Sequence, residues 1–284
     1  MDYGWIKKSL LIILSSNVVE AKVTIFTHYF GQPEFIEYQY SFFKKNMLDE
    51  YELIVFDDAS DVLVSEKIEK QCEKYDIRHI RIPRDIFEKH VVGDSSIECA
   101  VAIQYIYDNY VLTSDDICLL TDNDIFLISP FSIEKYLGQS PFSYFPQYRG
   151  DSYSNDLVDY MLPNFLILNP SKMLEKEGLD FNLGIVEGNR TDSGGFTHFY
   201  LQKYRALGKI MSIHYLHDSS SPLKEKFIGE CSMLFTMKEW GSHYFIGKEI
   251  FLHLRMGSNW SKHSYYNHMI NEMTFLFDQL LQNN

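Results

Sequence analysis

The stretch Cys118-Leu-Leu-Thr-Asp-Asn-Asp-Ile-Phe-Leu-Ile-Ser-Pro-Phe131 is the part of the chain that is most informative about the fold. The apolar run Ile117 to Leu120 predicts a buried strand, and a second run, Ile125 to Ile128, predicts another that ends at the Ser-Pro pair. Asp122 and Asp124 stand between the two runs. The stretch therefore predicts two carboxylates at the carboxyl end of a buried strand.

Two aspartates in this position need a neutralising partner. Like charges at this spacing repel, and burying them is costly unless something compensates. Mg²⁺ and Mn²⁺ prefer carboxylate oxygens, and open α/β sheets bind ligands just outside the carboxyl ends of their strands. The alternative is an Asp-Asn-Asp turn capped by its own side chains. The flanking strands favour a metal site, and the turn remains the alternative.

The totals exclude some classes of partner. The 284 residues carry a formal net charge of −13, which is unsuited to a nucleic-acid polymer because phosphate contacts need a basic surface. A single nucleotide is not excluded, since a bound metal can supply positive charge. The four cysteines lack zinc-like spacing, and no apolar run is long enough to span a membrane. We expect a cytoplasmic protein without a transmembrane segment, with a peripheral membrane location or a signal segment around residues 9–16 as alternatives.

The first half of the chain alternates strand and helix patterns. Such alternation predicts a parallel, doubly wound α/β sheet, which binds nucleotides at its strand ends. No Gly-x-Gly-x-x-Gly follows the first strand and no P-loop motif occurs. The predicted strands are Lys22–His28, Tyr51–Phe56, Ile77–Ile82 and Ile117–Thr121, and the predicted helices are Glu34–Asn46, Val62–Tyr75 and Ser95–Tyr110.

The second half gives a less regular pattern without repeats or a clear linker, so we expect one domain. Its predicted strands are Phe142–Phe145, Asn164–Asn169, Lys209–Tyr215 and one from Phe251 that enters a loop ending at Trp260. Its predicted helices begin at Pro170, span Phe196–Leu207 and close the chain from Ser264 to Gln282. A candidate edge strand covers Leu10–Leu14.

The segment Leu119 to Phe131 resembles the Asp-X-Asp segment of GT-A fold glycosyltransferases, and is most similar to the family 8 group of glycogenin and lipopolysaccharide galactosyltransferases. The resemblance implies a single GT-A domain over residues 1–284, Rossmann-like, with a mostly parallel central sheet flanked by helices. About 22–131 would bind the nucleotide sugar. About 132–284 would bind the acceptor and supply a metal and diphosphate loop.

In that family a C-terminal His-x-x-Gly-x-x-Lys-Pro-Trp segment provides a metal-binding histidine and a lysine that meets the diphosphate. His253, Gly257 and Trp260 resemble it with shifted spacing and without the Lys-Pro pair. The resemblance implies that His253 is a metal ligand. Arg255 or Lys262 would replace the missing lysine at the diphosphate.

The implied metal set makes a spatial prediction. Asp122, Asp124 and His253 would hold Mn²⁺ or Mg²⁺, with open positions for diphosphate oxygens. Ligand bonds near 2.1 Å require a His253 nitrogen and an Asp124 oxygen within about 3 to 4.5 Å of each other. A separation above roughly 10 Å would contradict the set.

Two polar residues are candidates for catalysis. Asn164 resembles the first asparagine of the family's Asn-x-Gly-x-x-x-Asn strand near the donor sugar. Asp192 resembles the aspartate of the family's Asp-Gln pair, and its alternative role is a helix N-cap.

Further residues are candidates for binding the nucleotide-diphosphate sugar. Tyr29, at the end of the first strand, would stack on the base, and Asp57, at the end of the second, would meet the base or ribose unless it only shapes a turn. Asp94 begins the helix that covers the diphosphate side. Asn123, between the two aspartates, belongs to the same group.

Together these features predict a metal-dependent glycosyltransferase for hexosyl or pentosyl groups. Its acceptor would be a glycan, a lipid-linked molecule or a protein. The resemblance implies retention at the anomeric carbon, whereas an inverting enzyme would use Asp192 as the base. The alternatives are a nucleotidyltransferase or related nucleotide-using transferase on a similar sheet, and a non-catalytic nucleotide-sugar-binding module. The His-Tyr-Phe-Gly sequence after the first strand disfavours the first alternative, because such enzymes carry a glycine-rich basic loop there.

Overall fold

The strand Ile117–Asp122 lies inside a seven-stranded sheet in a computed structural model. Its residues are buried as far as Thr121, with Leu119 in the core on one face of the sheet and Leu120 in the core on the other. This explains the unbroken apolar run, because strands covered on both faces lack alternation. The structure describes residues 22–88, 94–150, 157–218, 220–238, 243–255 and 266–282.

Strands and helices alternate through the first half, as predicted. The strands are β1 (Val23–Tyr29), β2 (Tyr51–Asp57), β3 (Arg78–Arg81), β4 (Ile117–Asp122), β5 (Ile125–Leu127), β6 (Phe142–Arg149), β7 (Val158–Leu168), β8 (Ile185–Val186), β9 (Asn189–Arg190), β10 (Lys209–Ile210), β11 (Ile213–Tyr215), β12 (Tyr244–Ile246) and β13 (Phe251–His253). The helices are α1 (Phe35–Asn46), α2 (Val62–Lys74), α3 (Asp85–Glu88), α4 (Ser95–Ile106), α5 (Ile133–Leu137), α6 (Thr197–Tyr204), α7 (Pro222–Phe227), α8 (Ser232–Thr236) and α9 (Tyr266–Gln282). A π-helical segment, Tyr107–Val111, extends α4, and short 3-10 turns cover Lys176–Gly178 and Arg205–Leu207.

The large sheet has the strand order β10-β6-β7-β4-β1-β2-β3. Strands β1 to β4 pair in parallel, and β10 is parallel to β6. Strand β7 is antiparallel to both of its neighbours, β4 and β6. The α/β class and the mostly parallel central sheet flanked by helices are thus confirmed.

A second, antiparallel sheet has the order β11-β12-β13-β5. Strand β5 follows Asp124 directly, and its partner β13 ends at His253. Their register pairs His253 with Ile125, and the Leu254 amide donates to the Asp124 carbonyl over 2.9 Å. This pairing brings the C-terminal part of the chain to the end of β4.

The core lies on both faces of the large sheet. One face packs against α1, α2, α9 and the small sheet, and the other packs against α4 and α6. Phe126 of β5 contacts three rings, those of Phe35, Phe42 and Phe277, at centroid separations of 5.6, 6.2 and 4.5 Å. The small sheet is therefore anchored to the two helices α1 and α9.

Two predicted elements differ from the structure. The helix expected from Pro170 is a turn, in which the Asn169 carbonyl accepts the amides of Lys172 and Met173. The Asn169 side chain accepts the Ser171 hydroxyl, and local side-chain bonds of this kind compete with helix formation. The strand expected over Lys209–Tyr215 is divided between the two sheets at the buried Met211. The Leu10–Leu14 candidate and the loop from residue 256 to Trp260 lie outside the described residues.

Within the described part of the chain, no helix has the length and apolar character that a bilayer crossing requires.

Candidate functional site

A cleft of about 1060 Å³ opens at the carboxyl ends of the parallel strands. Its lining includes His28 from β1, Asp58 after β2 and Asp122 from β4. Residues from β6, β7 and β11 to β13 form the opposite side. The cleft lies where an open α/β sheet is expected to bind its ligand.

The predicted proximity of Asp124 and His253 is confirmed. His253 Nε2 lies 3.2 Å from Asp124 Oδ1, inside the predicted range, and both residues are buried. One potential ligand atom from each of Asp122, Asp124 and His253 falls within 4.8 Å of the others. The β5–β13 register creates this arrangement from residues far apart in sequence.

The three residues fit a divalent cation by the chemistry of their donor atoms. Two carboxylates and one imidazole are ligands that Mn²⁺ accepts, and the two negative charges would be neutralised by a dication. Hydrogen bonds from the two neighbouring strands hold the Asp122 carboxylate in place, as is usual around metal ligands.

Asp122 is held from both neighbouring strands. His28 Nε2 on β1 lies 2.7 Å from Asp122 Oδ1, and the Asn164 amide on β7 donates to Asp122 Oδ2. Burial lowers the pKa of His28, but the Asp122 carboxylate beside it outweighs this effect and raises that pKa well above the ordinary value. The sequence-predicted Asn164 therefore contacts the candidate metal set directly.

The prediction for Tyr29 is wrong. Its ring is fully buried in the core and has no open face for a base. Its hydroxyl donates to Gln39 Oε1 over 3.1 Å, and Gln39 in turn donates to the carbonyls of Asp122 and Ile125 over 2.9 and 3.0 Å. Tyr29 thus supports the turn between β4 and β5 from behind, while Phe30 lines the cleft.

Asp57 is also misassigned as a donor contact, because its side chain is fully buried and does not line the cleft. It pairs with Arg81 and accepts hydrogen bonds from Ser65 and the Ala59 amide. Burial raises the pKa of Asp57, but these partners together with His79 outweigh it and lower the pKa. The neighbouring Asp58 takes the position in the cleft.

Asp94 and Asn123 each line a cavity. Asp94 caps α4 by accepting the Ser96 amide over 3.0 Å and lines a smaller cavity of about 220 Å³. Asn123 lines the main cleft and donates to the Gly31 carbonyl over 3.0 Å, which ties the Asp-Asn-Asp turn to the loop after β1.

Asp192 lines both cavities and does not cap α6, which begins at Thr197 without a side-chain cap. Its carboxylate lies 3.4 Å from an Arg149 guanidinium nitrogen. A half-exposed carboxylate with a cationic neighbour is available to a ligand in the cleft. Arg149 was not predicted from the sequence, which offers no local signal for it.

Arg255 lines the cleft, whereas Lys262 lies outside the described residues. Arg84 also lines the cleft and donates to the Asp58 carbonyl over 2.9 Å. Its place just after β3, at the carboxyl end of a parallel strand, is the sequence signal that could have identified it.

No protein-family profile matches the sequence, and no curated protein matches it. Among solved structures the chain is similar to a mannosyltransferase from Pyrobaculum calidifontis in complex with GDP-Man and Mn²⁺, at 14% identity over 67% of this chain and 54% of that one, with a TM-score of 0.42. It is similar to the galactosyltransferase LgtC in complex with donor and acceptor sugar analogues, at 10% identity over 91% and 95% of the two chains, with a TM-score of 0.47. A third match is glucosyl-3-phosphoglycerate synthase from Mycobacterium tuberculosis, at 13% identity over 67% and 69%, with a TM-score of 0.37. The chain spans about half of the mannosyltransferase.

Proposed function

We propose that the protein is a metal-dependent glycosyltransferase with a GT-A type domain that uses a nucleotide-diphosphate sugar as donor. The convergence of Asp122, Asp124 and His253 at the floor of a large cleft carries the proposal. The cleft lies at the carboxyl ends of parallel strands, where nucleotides bind. Its volume of about 1060 Å³ is adequate for a nucleotide sugar beside a second substrate.

Different side chains would have different roles in the transfer. Asp122, Asp124 and His253 would hold Mn²⁺ or Mg²⁺, which when bound supplies Lewis-acid stabilisation for the charge on the departing diphosphate. Arg255 offers a further positive charge on the same side. Phe30 and Asp58 border the cleft at the ends of β1 and β2, where the base and ribose would lie.

In the proposed transfer the acceptor hydroxyl oxygen bonds to the anomeric carbon of the donor sugar. The bond from that carbon to the diphosphate breaks, and its electron pair stays on the diphosphate. The hydroxyl proton passes to a departing diphosphate oxygen in a retaining enzyme, or to Asp192 in an inverting one. Asn164, held against Asp122, would position the donor sugar.

Calorimetric titration tests this function. We expect at least one member of a panel of UDP-, GDP- and ADP-linked sugars to bind at least about tenfold more tightly with Mn²⁺ than with EDTA. If no nucleotide sugar bound under either condition while nucleoside triphosphates bound with Mg²⁺, a nucleotidyltransferase would be favoured instead. Metal-independent binding of a nucleotide sugar would favour a non-catalytic binding module.

A further inference from the structure

The two walls of the cleft differ in chemistry. The wall beside β1, β2 and α4 is mainly polar and includes His28, Asp58 and Ser95, together with the aromatic ring of Phe30. The opposite wall is rich in aromatic and aliphatic side chains from the second half of the chain. These are Phe145, Tyr148, Ile210, Ile213, Tyr215 and Tyr244. The second half of the chain thus contributes a surface of apolar side chains interspersed with polar ones such as Gln147 and Arg149.

A row of rings connects this surface to the candidate metal ligands. The His253 and Tyr244 ring centres are 4.6 Å apart at 77°, and those of Tyr244 and Tyr215 are 5.8 Å apart at 79°. Tyr215 also stacks on His217 at 5.5 Å and 30°. Tyr244 is buried, whereas Tyr215 is 38% exposed. The ring of Tyr215 is therefore partly exposed and is held in place by the rings of Tyr244 and His217. Tyr244 lies between Tyr215 and His253.

We propose that Tyr215 is the stacking platform for a saccharide acceptor, an inference that rests on the proposed function. A pyranose has one apolar C–H face and a rim of hydroxyls, so it needs a flat apolar ring beside hydrogen-bonding groups. Gln147, Arg149 and Asp192 line the same cleft and offer donors and acceptors to such a rim. A hydrocarbon chain would remove these polar groups from water without offering them a hydrogen bond, which is costly on binding.

Saturation-transfer NMR on the full chain with diamagnetic Mg²⁺ and a nucleoside diphosphate tests the platform. The probes are the methyl glycosides of glucose, galactose, mannose and N-acetylglucosamine, together with lactose and maltose. We expect saturation at the ring C–H protons of at least one probe, reduced about tenfold or more by Tyr215→Ala and retained by Tyr215→Phe. Phe199→Ala is the control, because Phe199 is an exposed aromatic residue that does not line the cleft.

Two results would overturn the platform. One is a saccharide signal that survives Tyr215→Ala, and the other is the absence of any saccharide signal in the wild-type protein. Calorimetry of the nucleotide sugar in the same samples separates this failure from that of the proposed function. If the wild-type protein binds the nucleotide sugar in a Mn²⁺-dependent way, the glycosyltransferase proposal is retained and only the Tyr215 platform is rejected. If the wild-type protein does not bind the nucleotide sugar, both proposals are rejected.

A second inference comes from the contacts of Asp122. This carboxylate ends β4 between β1 and β7, and each neighbouring strand contributes one hydrogen-bonding side chain to a different oxygen. His28 is the donor on β1, and its other ring nitrogen lies 3.9 Å from Asp58 Oδ2. His28 is not one of the three residues that converge on a single point.

The geometry assigns His28 as a positioning residue that orients Asp122 for the metal. A carboxylate that accepts a hydrogen bond on each oxygen cannot rotate freely, and each oxygen keeps a further lone pair for a cation. Residues that orient metal ligands in this way typically contribute 10–100-fold to metal affinity. Asn164 has the matching role on the other oxygen.

Mn²⁺ binding to the protein without nucleotide, followed by electron paramagnetic resonance, tests this role. His28→Leu should weaken Mn²⁺ binding about 10–100-fold, and His28→Gln, which retains an N–H donor, should recover most of the affinity. His198→Gln is the control, a buried histidine that contacts the Asp159 carbonyl away from the cleft. Wild-type affinity in folded His28→Leu, or equal losses in both His28 variants, would overturn the role. If the wild-type protein bound no Mn²⁺, the metal-site assignment itself would be wrong.

Discussion

Replacing Asp124 by alanine is expected to reduce sugar transfer by a factor of about 100–1000 or more while leaving the fold intact. The substitution removes one of two carboxylates that would hold the cation and leaves His253 without its partner at 3.2 Å. Because the carboxylates of Asp122 and Asp124 repel each other when no metal is bound, the apo variant should be at least as stable as the wild-type protein. Transfer from the donor identified by calorimetry and thermal unfolding in EDTA measure the two effects.

Asp61→Ala is the matched control for this variant. Asp61 caps α2 by accepting the Leu63 amide over 2.8 Å, so its loss should cost about 0.5–2 kcal/mol of stability without affecting the metal. The two variants should therefore give opposite patterns. Full, Mn²⁺-dependent transfer by Asp124→Ala would contradict the metal assignment. A large loss of apo stability in that variant would favour the capped-turn alternative.

Arg81→Leu is expected to lower the free energy of unfolding by about 3–5 kcal/mol. The substitution leaves the carboxylate of Asp57 fully buried without its guanidinium partner. Arg78→Leu on the same strand is the control. The Arg78 side chain is 55% exposed and its ion pair with the exposed Glu52 is long, at 4.0 Å, so the pair contributes at most about 1 kcal/mol. Urea unfolding at neutral pH measures both variants.

The difference in unfolding free energy between the wild-type protein and Arg81→Leu should depend on pH, which gives a further check. Because the pKa of Asp57 is lowered in the folded protein, its ionised form stabilises the fold above the pKa of the unfolded chain. That stabilisation is lost as the pH falls through the lowered folded value. The gap between wild-type and Arg81→Leu protein should therefore narrow in acid. A gap below about 1 kcal/mol at neutral pH would show that Ser65, His79 and the Ala59 amide satisfy Asp57 without Arg81.

The sequence was most informative where local pattern and long-range pairing agree. The apolar runs on either side of Asp122 and Asp124 specified β4 and β5, because a strand covered on both faces must be apolar throughout. His253 was placed by resemblance, and the β5–β13 register explains why it reaches Asp124. Nothing in the local sequence encodes that register.

The errors at Tyr29 and Asp57 have a common cause. Sequence patterns locate the end of a strand to within a residue or two, but successive side chains point to opposite faces. Tyr29 and Asp57 are paired in the β1–β2 register and both turn away from the cleft, whereas the adjacent Phe30 and Asp58 line it. A shift of one residue therefore exchanges a ligand contact for a core position.

The β5–β13 pairing also has a consequence for protein synthesis. During translation, Asp124 leaves the ribosome well before His253, by roughly 6 to 26 s at about 5–20 residues per second. Until then the growing chain has the two aspartates but lacks His253. Fragments from premature termination before residue 253 would likewise lack the third ligand. Capture of a cation by all three side chains thus requires that synthesis has passed residue 253.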